Sequence, residues 1–473
     1  MENKQPQVVI LSMTRDGEKL CAAGGRISTQ PGDAIEIWNN SQDEEKNSRL
    51  IQKVTRSGHN SVVEHACFHL AFQNVSVMAE QFMIEFRLAS FTVKSRRYVD
   101  FSSAGYYLPE GLDKTLEEAY TAHMESLFAE YQYLVEHDVP KEDARFVLPY
   151  CFCSNFYCTL NGRELLHVLT AMLYGRGRRF PELVLLGNQL LEQAREIAPG
   201  IFAALDDVQE PVPDTPELRG MTGLPEDAQV MPHGYRFAEL LAATPEAAKC
   251  VARTALIEGT QLPGDEIDRV LSDAETRAEI IRRVITCSRP RALENISFTF
   301  RLNGVSLPCI THIVRHRMQS VMIPALMQTD RTHKIIPPSV RRETECLARY
   351  EAAFRRNAAL YQKLRGEGVP EETLVYFLLS GNTLDVVTTM NARELLLFLR
   401  LRTCNRAQWE IRIYADEMLR LLREKEPEIF QFFGPSCFVT GKCPEGRLSC
   451  GKMQEVREKY QMAENEKKPV ENA

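Results

Sequence analysis

The chain has 473 residues, enough for two or three domains with sizeable cores. Hydrophobic residues at 44% and charged residues at 26% describe an ordinary soluble composition, and a net charge of −7 gives no overall attraction for nucleic acid or an anionic membrane. Neither is an expected partner, and any anion-binding has to be local.

No apolar stretch reaches membrane-spanning length, and the opening Met1-Glu2-Asn3-Lys4-Gln5-Pro6 is no signal peptide, so a cytoplasmic location is expected. The chain starts with an apolar run, Val8-Val9-Ile10-Leu11, that reads as a strand. A helix is expected around Asp43–Val54 and a second strand at Ala66–Phe72. Helical periodicity returns at Val77–Leu88 and at Leu112–Glu136, and dominates from Arg163 to Ile197. Residues 206–228 are acidic and rich in proline, which marks a linker. Beyond it the same order of elements repeats, with Ser297–Leu302 matching Cys67–Phe72, and the charged stretch 453–473 is expected to fray.

The repeat has a constant offset. Glu64, Arg87, Ser90, Asn161, Arg163 and Glu164 recur as Glu294, Arg317, Ser320, Asn391, Arg393 and Glu394, each 230 residues on. Tandem copies of one domain follow from this. The expected fold class is α+β, two tandem domains at 1–205 and 229–435, each a mostly antiparallel sheet with packed helices. A linker at 206–228 joins them, and a cysteine-containing tail occupies 436–473.

Thirteen cysteines are an odd number. Cys21, Cys67, Cys250, Cys287, Cys309 and Cys346 stand alone in apolar or helical contexts, which fits reduced thiols better than a disulfide framework. Cys151, Cys153 and Cys158 are flanked by Tyr and Phe and read as core. Cys437, Cys443 and Cys450 lie among Gly and Pro turns that would let them converge on a metal, with Cys404 or a histidine as fourth ligand. Their spacings lack the two-residue gap of zinc sites, so free or redox-labile thiols are the expectation, a structural metal is the alternative, and no metal ligand is assigned.

Arg315-His316-Arg317 sits between apolar segments. It reads either as a solvated basic face or as an anion site, since two guanidinium groups in an apolar setting are costly unless an anion meets them. Arginine forks suit phosphate or pyrophosphate. Asn391 and Arg402 frame a helical pattern and share one face, roughly 16 Å apart along the axis. They form either a polar helix face or two contacts to one long ligand.

Taken together, these residues resemble the flavin-dependent thymidylate synthases. The first half reads Ser57-Gly58-His59-Asn60-Ser61-Val62-Val63-Glu64-His65, then Glu85-Phe86-Arg87-Leu88-Ala89-Ser90, Ser95-Arg96-Arg97-Tyr98 and Tyr107-Leu108-Pro109. The second half reads Arg315-His316-Arg317-Met318-Gln319-Ser320, with Met322, Ala325 and Met327 where the family signature has Asn, Ser and Arg. The resemblance implies methylation of dUMP at C5, with FAD as cofactor and methylenetetrahydrofolate and NADPH as co-substrates. It also implies FAD contacts at His65, Arg87, Arg315, His316 and Arg317, with Asn161 and Asn391 on the same cofactor. Substrate contacts are implied at Ser95, Arg97 and Arg145, with Arg402 both binding and activating the base.

The two halves keep complementary parts. The first has Glu85-Phe86 for Arg-His and Met172 for the helix arginine. The second has Asn295 for the histidine, Ala325 and Met327 for phosphate contacts, and Val375 for the nucleotide arginine. One composite site shared by the halves is expected, the first supplying the nucleotide half-site and the second the FAD half-site. A homodimer of fused chains would then form a pseudo-tetramer. The alternative is a degenerate, non-catalytic flavin- or nucleotide-binding protein.

Overall fold

The computed structural model describes residues 5–208, 211, 218–223 and 237–461. Much of the 206–228 linker and the end of the tail from 462 onward therefore lie outside the described residues. Two compact units are present: Met1–Gln229 with Lys334–Asn382, and Val230–His333 with Thr383–Ala473. Each unit is built round an antiparallel sheet.

In the first unit β1 (Gln7–Met13), β2 (Cys67–Ser76), β3 (Ser90–Val93) and β4 (Cys153–Asn161) pair in the order β1-β2-β4-β3. In the second, β5 (Ala238–Ala243), β6 (Ser297–Ser306), β7 (Gln319–Met322) and β9 (Asn382–Asn391) pair as β5-β6-β9-β7, and β8 (Asp330–Lys334) adds to β9. Register is repeated as well as order. Cys67 faces Asn161 as Ser297 faces Asn391, and Ser90 faces Thr159 as Ser320 faces Thr389. Irregularities recur too: the break in pairing after Phe72 recurs after Leu302, and each break holds one left-handed residue, Asn74 (φ 52°) or Gly304 (φ 63°). Asn and Gly are the residue types that tolerate that backbone at low cost.

Side-chain alternation fixes which face is buried. In β2, Phe68, Leu70 and Phe72 are buried while His69 and Gln73 are exposed. The outer edge of β1 is covered by side chains of the helix Pro181–Ile197. Gln189 Oε1 accepts from Val8 N (3.0 Å), and Gln193 accepts from Ile10 N (2.9 Å) and donates to Val8 O (2.9 Å). An edge strand satisfied in this way offers no template for another chain.

Several expected elements appear with shifted ends. The helix expected at Asp43–Val54 is Glu44–Arg56, capped by Asp43, and the one at Leu112–Glu136 is Lys114–Glu136, capped by Asp113. The run Val77–Leu88 stops as a helix at Ile84 and turns into β3, whose Phe91, Thr92 and Val93 favour extended backbone. Arg163–Ile197 is broken into Gly162–Leu173 and Pro181–Ile197. Between them a Cβ at Gly177 would stand 2.9 Å from Ala171 O and Met172 Cα, and Pro181 starts the second helix. The tail is not frayed throughout: Met453–Tyr460 is helical, with Val456 and Tyr460 buried four residues apart and Tyr460 Oη donating to Thr403 O at 3.2 Å.

The segment 334–382, from the second repeat, packs within the first unit. Its helix Thr344–Gly366 lies against Lys114–Glu136, and both Arg349 Nε and Arg356 Nη2 donate to Glu130 at 2.8 Å. Main-chain bonds are exchanged reciprocally: Tyr150 N donates to Leu378 O (2.8 Å) and Ser380 N to Leu148 O (2.9 Å). Residues 148 and 150 are the 230-offset counterparts of 378 and 380, so the two repeats meet here about a local pseudo-twofold axis.

Behind β3 a polar network is sealed in the first unit. Glu80, 1% exposed, binds both Arg96 and the Ser154 hydroxyl, and the Arg96 guanidinium lies 5.5 Å from the centre of the Phe152 ring. The second repeat carries Ile310, Leu326 and Leu384 at these places. Replacing Glu80 with Ala leaves a buried guanidinium unpaired and should cost about 3–5 kcal/mol, read from the denaturant midpoint. The double change Glu80→Ile with Arg96→Leu should recover most of that loss. Asn161 and Asn391 each cap a helix, accepting from Glu164 N and Glu394 N at 2.9 Å. Changing either to Ala should cost about 0.5–2 kcal/mol in the same assay, and changing either to Ser a few tenths at most.

Candidate functional site

The first unit brings the expected nucleotide contacts together. Ser95 and Arg97 lie on the loop leaving β3, and Arg145 begins the 3-10 turn Arg145–Val147. Glu142 joins them: its carboxylate accepts from Arg97 Nε (2.7 Å), and its main-chain carbonyl accepts from Arg145 Nε (2.9 Å). The loop is closed by Val99 N donating to Ser95 O (3.0 Å) and Arg97 N to Ser95 Oγ (3.3 Å). Arg145 is 4% exposed and Arg97 half-buried, while Tyr98 is 67% exposed. Arg96, between Ser95 and Arg97, is the residue held by Glu80, so the buried pair anchors the loop from behind. Sequence reasoning missed Glu142, Glu80 and Arg96. The only signal available was an acidic residue three positions before Arg145.

His65 ends the 3-10 turn Asn60–His65 and is exposed. It lies over Gly24, where a Cβ would stand 3.2 Å from His65 Cδ2. The turn is fixed to the helix Gly162–Leu173 by Arg163 Nη1 donating to Glu64 (2.7 Å), and Arg393 binds Glu294 in the same way in the second unit. There Thr254 and Asn295 replace Gly24 and His65, and with Arg289 and Arg291 they line a polar recess of about 340 Å³.

In the second unit the Arg-His-Arg triplet is split by burial. Arg315 and Arg317 are exposed, whereas His316 is 4% exposed. Both ring nitrogens are engaged. Arg402 Nε donates to His316 Nε2 (3.0 Å), and His316 Nδ1 stands 3.1 Å from Glu394 Oε1. An arginine N–H can only donate, so Nε2 is the acceptor and the ring proton sits on Nδ1, facing the carboxylate. Burial pulls the His316 pKa down; Glu394 opposes this, and the Arg402 and Arg315 charges add to it. Phe398 closes the ring's side at 4.8 Å. Asn391 and Arg402 bracket the helix Ala392–Arg402, the first as its cap and the second as its last residue.

The first unit replaces that whole arrangement. Phe86 stands for His316 and packs on His167 (5.1 Å), Met172 stands for Arg402 and is fully buried, and Glu164 keeps its place 3.6 Å from His167. Glu85, in place of Arg315, pairs with Arg176 at 2.7 Å. Arg87, like Arg317, is exposed on the turn that follows.

All thirteen cysteines are free, and Cys151, Cys153 and Cys158 are buried. Burial pushes the Cys21 thiol up to about 12 and also raises those of Cys346, Cys404 and Cys437, the opposite of what a thiolate nucleophile needs. Among the described residues no group of three or more His, Cys, Asp or Glu is arranged to hold a metal ion, and no helix is long and apolar enough to cross a membrane.

Comparison with known proteins places these geometries in a family. The profile described as "Thymidylate synthase complementing protein" matches residues 9–200 and again 239–428. A flavin-dependent thymidylate synthase of Geobacter sulfurreducens is 36% identical over 222 residues, covering 46% of this chain and 95% of that protein. One from Clostridium tetani is 32% identical over 240 residues, covering 47% and 96%. Among solved structures, a UMP/dUMP methylase, PolB from Streptomyces cacaoi, bound with 5-Br dUMP, is 22% identical and covers 44% of this chain and 97% of its own, with a TM-score of 0.37. With both repeats matched over nearly their full length, the chain belongs to the thymidylate synthase complementing protein family and carries that family's domain twice.

Proposed function

We propose that this protein methylates dUMP to dTMP, taking the carbon from methylenetetrahydrofolate and reducing equivalents from NADPH through bound FAD. The observation that carries the reading is the division of arginines. A guanidinium pair joined through Glu142 survives in the first repeat, and a guanidinium anchored on a neutral histidine survives in the second. Relatives named flavin-dependent thymidylate synthases, matched over at least 95% of their length, support the same reaction.

In this reading Ser95, Arg97 and Arg145 hold the nucleotide phosphate, where paired N–H donors meet an anion with charge-assisted bonds. Arg402 meets the uracil base. C5 of uracil is a weak nucleophile, so carbon–carbon bond formation requires stabilisation of the negative charge that develops on the ring. A preorganised guanidinium supplies it. Both repeats therefore contribute to turnover, and two fused chains assemble as four family domains.

The residues present fit FAD. Arg315 and Arg317 are exposed on one turn on either side of His316, a pattern suited to a pyrophosphate. His65 and Arg87, both exposed, and the capping residues Asn161 and Asn391 complete the proposed cofactor contacts. Bound FAD supplies hydride chemistry, and the protein's part is to bind and orient it.

Purified protein should be yellow and should form dTMP from dUMP, methylenetetrahydrofolate and NADPH. Arg97→Ala should raise KM for dUMP by about 10- to 150-fold, the worth of a hydrogen bond to a charged group. Arg402→Ala should lower kcat by about 10²- to 10³-fold. Wild-type turnover in either variant, or colourless protein that binds dUMP without converting it, refutes the reading.

A further inference from the structure

We propose that Glu394 and His316 are positioning residues that hold Arg402 in its working orientation, rather than flavin contacts. This rests on the reading that Arg402 meets the base. Glu394 stands 3.1 Å from Nδ1 of a buried ring whose Nε2 accepts from Arg402 Nε at 3.0 Å. A carboxylate facing Nδ1 selects the tautomer whose Nε2 lone pair is available, as acidic partners do for histidines in metal and catalytic sites. Asn391 fixes the start of the helix that carries both Glu394 and Arg402. The long arginine side chain is thereby tied at both its backbone and its Nε.

The first repeat supplies an independent observation. Its counterparts of His316 and Arg402 are Phe86 and Met172, both buried, while Glu164 remains beside His167. Of the proposed flavin contacts in the triplet, Arg315 is replaced there by Glu85 but Arg317 persists as Arg87, so a histidine serving only the flavin would not need to disappear together with the helix arginine. A histidine whose task is to hold that arginine would.

The charged groups around His316 are Glu394 and Arg402 from the helix and Arg315 from its own turn. Its pKa is depressed by burial, so the neutral, accepting ring is retained above the ordinary value of 6.5 and is lost as pH falls below 6.5 through the folded-state value. Protonation places a hydrogen on Nε2 and breaks the bond from Arg402.

The test uses full-length protein and four measurements: flavin content, dUMP KM, kcat and the pH profile of kcat. His316→Phe, which copies the first repeat, should lower kcat at least tenfold with KM within threefold and flavin content unchanged. His316→Gln offers an untitratable acceptor to Arg402 and should stay within threefold of wild type, without the acid limb of kcat. Wild-type kcat in His316→Phe overturns the proposal, as does flavin lost in step with activity, or an acid limb persisting in His316→Gln. If His316→Phe does not fold, the pH profile of His316→Gln alone decides. Arg402→Ala separates the two ideas: full turnover there refutes the proposed function, whereas an inactive Arg402→Ala beside a fully active His316→Phe refutes only the positioning role.

Discussion

A guanidinium withdrawn from water must meet an acceptor, and every half-buried or buried arginine of the candidate site obeys that constraint. Arg96 has Glu80, Arg97 and Arg145 share Glu142, and Arg402 has His316. These acceptors do more than neutralise. A long side chain with several rotatable bonds gains direction only when something else fixes it. Arg96, Arg97 and Arg402 are fixed by groups from a different element of the same unit, and Arg145 by the turn that precedes it. The sheets matter because they bring those elements into reach: β3 delivers the loop that carries Arg97, and β9 runs straight into the helix that ends at Arg402.

Divergence between the repeats follows the same logic. Where the second repeat lacks Ser95 and Arg97 it also lacks Glu80 and Arg96, with Ile310 and Leu326 instead. Where the first lacks Arg402 it also lacks His316, with Met172 and Phe86 instead. Removing one member of a buried polar set is costly, while replacing the set with apolar side chains of similar bulk is nearly neutral. Substitutions therefore arrive in groups, and the missing groups mark functions that act as units.

The sequence showed the duplication, because an offset of 230 residues needs no structural knowledge, and it showed the strands with clean apolar runs such as β1 and β2. It did not show β4, where Cys153-Ser154-Asn155-Phe156 mixes polar and apolar residues because Ser154 meets the buried Glu80 and Asn155 accepts from Asn74 N at the break in β2. Nor did it show β3 and β7, four-residue strands whose length gives periodicity nothing to work on. Of the site, the arginines were legible from motif spacing, but their acceptors were not. Glu142 lies 45 residues from Arg97, Glu80 lies 16 from Arg96, and the tie between His316 and Arg402 spans 86 residues.

The reciprocal N–H bonds linking 148 and 150 to 380 and 378 run between main-chain atoms, and the Ser380 hydroxyl adds a bond to Leu148 O at 3.0 Å. The main-chain part of that seam makes little demand on which side chains the two copies carry. In an assembly of identical subunits every mutation appears at all equivalent places at once, so no copy can lose a group that another still needs. Joining the copies in one polypeptide lifts that obligation while the backbone seam persists, which leaves each copy at liberty to specialise.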